Sequence, residues 1–358
     1  MTNLPDEKPV SDRASEGTDN EGSEDDAENA VAPQGLGSMG GIPIDDEVEG
    51  ELIDRDEDLL NDIEDDATEL DLTHMRIRSL AVLNLKRLTK LTYVSFRQNL
   101  ITSLRGLEDL PEDLEELDVY DNRIDHIGHH LDHFGPKMHT LDLSFNNIRH
   151  IKHIDHLTGL KNLFFVQNQI SHIQNLDTLT SITNLELGAN KIRKIEGLDK
   201  LVNLEQLWLG KNKITKLENL GALKKLKILS IQSNRITKLE GLDELEELEE
   251  LYISHNGIEK IEGLDNNKKL NTIDITANRI SELENLSHLT ELEELWASSN
   301  QLSSFPNVEK ELGKLPKLHT VYFEHNPLQR QNMVTYRNKV KLALGPSLRQ
   351  IDATFIRT

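Results

Sequence analysis

The hydrophobic positions of this chain recur at a fixed interval. Leu185, Leu187 and Asn190 are matched by Leu207, Leu209 and Asn212 and by Leu229, Ile231 and Asn234, and the step of 22 residues continues through Asn256, Asn278 and Asn300. Backwards, the same pattern reaches Asn168 and Asn146; Asn122 and Asn99 extend it with steps of 24 and 23, and Asn326 ends it after a step of 26. A degenerate first copy begins at Leu70 and carries Met75 in the asparagine position. About twelve copies read L-x-x-L-x-L-x-x-N-x-I-x-x-I-x-x-L, a degree of self-similarity that defines a repeat protein.

Within each copy the L-x-L piece alternates, which predicts a short strand with its leucines on one side. One such strand buries too little to be stable alone. Stacked copies form a parallel sheet over a continuous core. The residues left after each Asn suffice for a 3₁₀ or helical turn and no more. The expected fold is therefore an α/β solenoid: a leucine-rich-repeat arc of about twelve short 22-residue repeats, with the parallel β-sheet on its concave face, short 3₁₀ or helical turns on its convex face, and a C-terminal cap. The Asn should turn the chain out of each strand, bond backbone groups opened by that turn, and stack as a ladder. The recurrent Glu196-Gly197-Leu198, Glu240-Gly241-Leu242 and Glu262-Gly263-Leu264 mark a bend suited to glycine. After Asn326-Pro327-Leu328 the period stops, and Tyr336 to Leu344 reads as an amphipathic helix ended by Gly345-Pro346. Residues 67–326 are thus the repeats, and residues 327–358 the cap that a solenoid needs to shield its last open face.

Charge changes this picture at one end. The net charge is −23. Residues 1–66 hold 23 acidic side chains against Lys8, Arg13 and Arg55, so the repeat region is nearly neutral. Such a segment cannot bury enough apolar surface to offset its chain entropy, which predicts a disordered acidic tail over residues 1–66. In it, Ser23 precedes Glu24, Asp25 and Asp26, a pattern suited to acidic-directed kinases. The absence of Cys fits a reducing compartment. Met1 to Val10 has no apolar stretch of the signal-peptide kind, and no run long enough to span a membrane occurs, so no membrane is expected as partner.

The residue between the two strand leucines, four before each Asn, should face outward on the concave side. Down the chain it is Asp71, Ser95, Asp118, Asp142, Phe164, Glu186, Trp208, Ser230, Tyr252, Asp274, Trp296 and Tyr322. Acids and aromatics dominate, both tryptophans of the chain fall here, and neither Lys nor Arg does. Exposed aromatics in a row suggest a protein-binding surface. The aromatics alternate with carboxylates, which argues against their packing on one another. A face without cations repels a phosphate backbone, so no nucleic acid is expected there, and a basic or mixed protein surface is. Glu294, Glu324, His255 and His325 flank the stripe.

Catalytic and metal chemistry have little support. His126, His129, His130, His133 and His139 crowd one irregular copy and His150, His153 and His156 the next, but no Cys joins them and no H-E-x-x-H occurs, so they read as surface histidines. No G-x-S-x-G and no phosphate-binding glycine loop is present. The expectation is a binding protein, not an enzyme, with no cofactor and no metal.

Leu207-Trp-Leu-Gly-Lys-Asn-Lys-Ile-Thr-Lys-Leu217, Leu251-Tyr-Ile-Ser-His-Asn-Gly-Ile258, Leu289-Thr-Glu-Leu292 and the ending Arg349-Gln-Ile-Asp-Ala-Thr-Phe355 closely resemble the leucine-rich-repeat regulators of protein phosphatase 1, the regulatory subunit 7 family. The resemblance covers roughly residues 67–358. It implies a non-enzymatic subunit that binds the phosphatase catalytic subunit through the concave face and controls its activity, maturation or localisation, with a small inhibitor protein as a third component. It implies residence in nucleus and cytoplasm and a part in mitosis and the cell cycle. The contact residues it implies are Asp142, Phe164, Glu186, Trp208, Asp274, Glu294, Trp296 and Tyr322. Trp208 stands where relatives can have Phe, and the copy around residues 125–139 departs from the family's length. Many phosphatase regulators dock through Val-x-Phe; Val94-Ser95-Phe96 and Val321-Tyr322-Phe323 have that spacing, but their Val and Phe should point into the core. The other readings are a leucine-rich-repeat adaptor of another complex, a spliceosomal-type subunit or a cytoskeletal adaptor. The acid-rich stripe disfavours the spliceosomal one.

Overall fold

The computed structural model describes residues 59–356. Four strands open the stack: β1 (Glu69–Asp71), β2 (Tyr93–Ser95), β3 (Glu116–Asp118) and β4 (Thr140–Asp142). The middle strands are β5 (Asn162–Phe164), β6 (Asn184–Glu186), β7 (Gln206–Trp208) and β8 (Ile228–Ser230). Then come β9 (Glu250–Tyr252), β10 (Thr272–Asp274), β11 (Glu294–Trp296) and β12 (Thr320–Tyr322), followed by the two-residue strands β13 (Gln350–Ile351) and β14 (Thr354–Phe355). They form one sheet in chain order. Every neighbouring pair is parallel except β13 and β14.

The equal repeat length keeps the strands in step: Leu185 lies beside Leu207, and Leu207 beside Leu229. Each side chain therefore meets its own counterpart in the next turn. In one copy Leu207, Leu209, Ile214, Leu217, Leu220, Leu223 and Leu226 are all buried, and the same set recurs along the chain as one core.

The connecting turns differ from the expectation in one respect. The 3₁₀ turns lie at Leu80–Val82, Leu85–Arg87, Leu107–Asp109 and Gly128–Leu131, and the helix α1 (Phe305–Leu312) lies before β12. All fall in the copies longer than 22 residues. The 22-residue copies cross with no helical element among the described residues, because a helical turn consumes residues that their span does not have. Three of these copies bend at Gly197, Gly241 and Gly263, with φ of +65°, +70° and +69°. A Cβ on Gly197 would lie 2.6 Å from the Ile173 carbonyl oxygen. Asn175, Asn219 and Asn285 take the same bend, and each donates its side-chain amide to the carbonyl below: Ile151, Ile195 and Ile261.

The ladder asparagines join the turns. Asn212 donates Nδ2 to the Leu209 carbonyl of its own turn (3.0 Å) and to the Leu187 carbonyl of the preceding turn (2.9 Å), and its Oδ1 accepts from the Ile192 amide at 3.0 Å. The pattern runs from Asn99, which accepts from Ile77, to Asn326, which accepts from Leu302. The lower bonds always go to the preceding strand turn. Among the described residues no strand turn precedes β1, which is why Met75 can stand in the first asparagine position and remain exposed.

Both ends are closed. At the start, Leu60 is 2% exposed within the core, and Arg87 reaches its carbonyl, the Ile63 carbonyl and Asp65. The packed body therefore begins before residue 67, and residues 59–66 belong to it. The remainder of the expected acidic tail, residues 1–58 with Ser23, lies outside the described residues. At the other end α2 (Pro327–Arg330) and α3 (Tyr336–Leu344) lead into β13. Asp352 then ends the parallel run, before the antiparallel β14. In a regular turn, the amide after the strand donates to the next strand, as Leu209 does to the Ser230 carbonyl at 2.7 Å. After β12 the Asp352 carboxylate takes that place, accepting from Phe323 (2.9 Å), Glu324 (3.1 Å) and the Tyr336 hydroxyl (3.1 Å). Burial, then the Asp352 charge, keep the Tyr336 hydroxyl protonated well above its usual range.

Two substitutions test this account by denaturant unfolding. Asn212→Ala strands one amide and two carbonyls, and at roughly 1–3 kcal/mol per unsatisfied buried group, partly recovered by relaxation, it should cost about 2–4 kcal/mol. Leu207→Ala should cost about 2–5 kcal/mol through the cavity it leaves. An Asn212→Ala protein as stable as wild type would remove the ladder from the account.

Candidate functional site

In each strand β4 to β12 the middle residue is buried, while the flanking residues stand on the outward sheet face. This alternation puts Asp142, Phe164, Glu186, Trp208, Asp274, Trp296 and Tyr322 in one register, the third position of β4, β5, β6, β7, β10, β11 and β12. Glu294 occupies the first position of β11. All eight expected contact residues thus share one face. Val94, Phe96, Val321 and Phe323 are fully buried, so neither Val-x-Phe stretch is available as a linear docking motif.

The face divides into three parts. In the first, Arg97 lies between two carboxylates, 2.7 Å from Asp118 and 3.7 Å from Asp142, with its guanidinium 4.0 Å from the centre of the Tyr120 ring. Tyr120 in turn packs on Phe145 at 4.7 Å. Arg97, Tyr120 and Phe145 were not among the residues picked from the sequence; they fall in the exit from the strand, where only Glu324, His255 and His325 were picked. The stripe is therefore not uniformly acidic: one cation, placed one register over, neutralises its upper end. Burial works against the charge on Arg97, yet the hydrogen bond to Asp118 and the charges of Asp118 and Asp142 hold it protonated above its ordinary range. Burial pushes the Asp142 carboxyl up. Ser144 opposes this, Asp118 adds to it, and Arg97 offsets little because its short bond goes to Asp118.

Part of the acidity is structural. Asp118, Asp142 and Asp274 each accept a hydrogen bond from the amide two residues on, at 2.9, 2.8 and 3.0 Å. A short acceptor at the strand exit satisfies the turn that follows it.

Phe164, Glu186 and Trp208 form the second part. Burial raises the Glu186 carboxyl above the usual range; a hydrogen bond with Asn184 opposes this and the Asp142 charge adds to it. The Trp208 indole N–H is shielded and finds no acceptor among the described residues. Beside these side chains the exit positions are Gly188 and Gly210, and Gly210 is buried under the Gln232 side chain.

In the third part the aromatics do touch. Trp296 packs on Tyr252 at 6.1 Å and edge-on to Tyr322 at 5.9 Å. Alternation along the sequence does not keep them apart, since a large ring reaches over the small Asp274 on the strand between, leaving it 9% exposed. The polar edges are bound as well. Tyr252 donates to Glu250 at 2.6 Å, Trp296 Nε1 to Glu294 at 2.9 Å, and Gln350 to the Tyr322 hydroxyl at 2.7 Å. Burial, then Glu250, keep the Tyr252 hydroxyl protonated. Both tryptophans face outward as expected, but each is half-buried. The result is a fixed aromatic platform rimmed by Glu250, Glu294 and Glu324. Such a surface can take a partner's cationic or amphipathic side chain, with the rings supplying apolar area and the carboxylates its charge partner.

Comparison with known proteins agrees with the fold. The family described as "Leucine Rich repeats (2 copies)" matches residues 202–244 and 246–288. An internalin structure from Listeria monocytogenes superimposes with a TM-score of 0.64 at 23% identity, covering 80% of this chain and 87% of that one. The chain has the leucine-rich-repeat fold. In sequence it is similar to protein phosphatase 1 regulatory subunits: 50% identical over 117 residues to subunit SDS22 of Saccharomyces cerevisiae (32% of this chain, 34% of that protein), and 64% identical over 56 residues to SDS22 of Schizosaccharomyces pombe (16% and 17%). Regulatory subunit 7 of Homo sapiens is 60% identical over 47 residues, 13% of this chain and 12% of that protein. The matched stretches span about a third or less of these relatives' length.

The buried carboxyls give a pH test. A folded carboxyl that holds its proton to higher pH than the unfolded chain makes the fold less stable as pH rises through that interval. Asp142→Asn and Glu186→Gln should therefore unfold at an equal or higher temperature than wild type at pH 7.5, and this advantage should shrink at pH 4. Calorimetric melting at both pH values checks it; a large loss of stability at pH 7.5 would mean that ionised Asp142 and Glu186 hold the fold together.

Proposed function

We propose that this chain is a non-enzymatic regulatory subunit that binds the catalytic subunit of protein phosphatase 1 through its outward sheet face. Binding there would control the activity, maturation or localisation of the phosphatase. The observation that carries the reading is a conjunction: sequence similarity to proteins named as phosphatase 1 regulatory subunits, in a chain whose sheet face bears a fixed aromatic platform and a row of carboxylates. Trp208, Trp296 and Tyr322 would supply the apolar anchors, with Phe164 beside them. Asp142, Glu186, Asp274 and Glu294 would meet basic groups of the enzyme. Because Asp142 already faces Arg97, its share would be smaller than that of Glu294, which lies at the rim of the platform. A third, inhibitory protein and action in both nucleus and cytoplasm belong to the same proposal.

The test pairs affinity with stability. Trp208→Ala and Trp296→Ala should each weaken binding of the purified catalytic subunit by about 2–4 kcal/mol, roughly 30- to 1000-fold, as expected for aromatic anchors. Trp296→Ala should also lower the melting temperature modestly, since Tyr252 and Tyr322 lose their contact, while Trp208→Ala should change it less. Wild-type affinity in the double variant, measured by calorimetry, would show that the enzyme binds elsewhere on the chain.

A further inference from the structure

Eight of the fourteen histidines fall between His126 and His156, and the structure sorts them by partner. His126 pairs with Asp125, His130 faces Glu108 at 3.4 Å, and His156 bonds the Leu131 carbonyl at 2.9 Å. His133 is packed on Phe134, where burial holds its pKa below the usual value. His129, Asp132 and His153 remain as a group of their own. Their donor atoms, one per residue, all lie within 4.8 Å of one another.

Three local features build this group. The copy between Asn122 and Asn146 is longer than 22 residues, and the extra length allows the 3₁₀ turn Gly128–Leu131 that presents His129 and leads to Asp132. His129 Nδ1 then lies 2.8 Å from the Asp132 carboxylate. In the next turn His153 takes the left-handed bend, φ +56°, where later copies have Gly or Asn. The bend brings the His153 ring against the His129 ring, centroids 4.0 Å apart and tilted by 56°.

We propose that His129, Asp132 and His153 bind a divalent transition-metal ion of the zinc class, and that the ion links two successive turns of the stack. Two imidazoles and a carboxylate suit zinc over magnesium or calcium, which prefer oxygen ligands. With metal–ligand bonds of about 2.0–2.2 Å, ligand atoms of a tetrahedral ion stand roughly 3.4 Å apart. His129 and Asp132 are exposed, which leaves their side chains room to turn toward the ion. Three protein ligands leave a fourth position for water or a ligand from another molecule. The group lies in the turns between β3 and β5, apart from the aromatic platform, so the inference does not rest on phosphatase binding.

The experiment is a calorimetric titration of the untagged full chain with zinc chloride, with magnesium chloride as the comparison. One zinc per chain should bind with micromolar affinity, and magnesium should not bind in that range. Zinc should raise the melting temperature by several degrees. His129→Ala, His153→Ala and Asp132→Asn should each weaken zinc binding at least tenfold, while His172→Ala should not. Binding should also weaken in acid, because a metal-ligating imidazole must be neutral and binding releases protons. Wild-type protein that takes up no zinc below millimolar concentration would overturn the proposal. So would stoichiometric binding that survives the His129→Ala, His153→Ala double variant. Because His129 and Asp132 are exposed, the melting temperatures of the metal-free His129→Ala and Asp132→Asn variants should match wild type, which separates loss of metal from loss of fold.

Discussion

Each turn of this protein has a three-residue strand and almost no helix, so its backbone groups must find partners outside their own turn. The asparagine amide meets that demand. It binds carbonyls in its own turn and in the one below, and it accepts an amide from the one below as well. A buried side chain can do this only at the point where the chain leaves the strand, and only if the next copy brings its asparagine to the same height. The 22-residue period is thus a consequence of hydrogen-bond accounting as much as of leucine packing.

The same requirement explains the ends. A stack of identical turns would leave a first turn with nothing below and a last strand with nothing above. Met75 stands where no lower turn needs an asparagine. At the other end Asp352 supplies with its side chain the acceptors that another strand would have supplied with its backbone, and Tyr336 and α3 cover it. Leu60 and Arg87 close the opposite end by burying one leucine and binding nearby carbonyls.

Strict register also makes the outward face a designed surface. Because like stacks on like, the side chain chosen at one strand position in each copy becomes a column, and neighbours in that column interact whether or not they are near in sequence. The column holds a neutralised acidic end around Arg97, a half-buried middle around Glu186 and Trp208, and an aromatic platform from Tyr252 to Tyr322. The Asp142 and Glu186 carboxyls in this face bear a desolvation cost, which the turn amide of Ser144 offsets in part at Asp142.

The repeat, the inward leucines, the structural asparagines and the column holding seven of the eight candidate contacts were legible in the sequence, because period and alternation are local properties that each copy states again. The special residues at the ends were legible only as breaks in the pattern. What the tertiary structure decided were the contacts between columns and between turns. Arg97 lies one register away from the stripe, so its neutralisation of Asp118 and Asp142 appears only when adjacent strands are set side by side. Trp296 meets Tyr252 over Asp274 because ring size exceeds strand spacing, a distance that no residue count contains. His129 and His153 meet for a similar reason: one longer copy and one left-handed bend bring together side chains that the sequence keeps a whole turn apart.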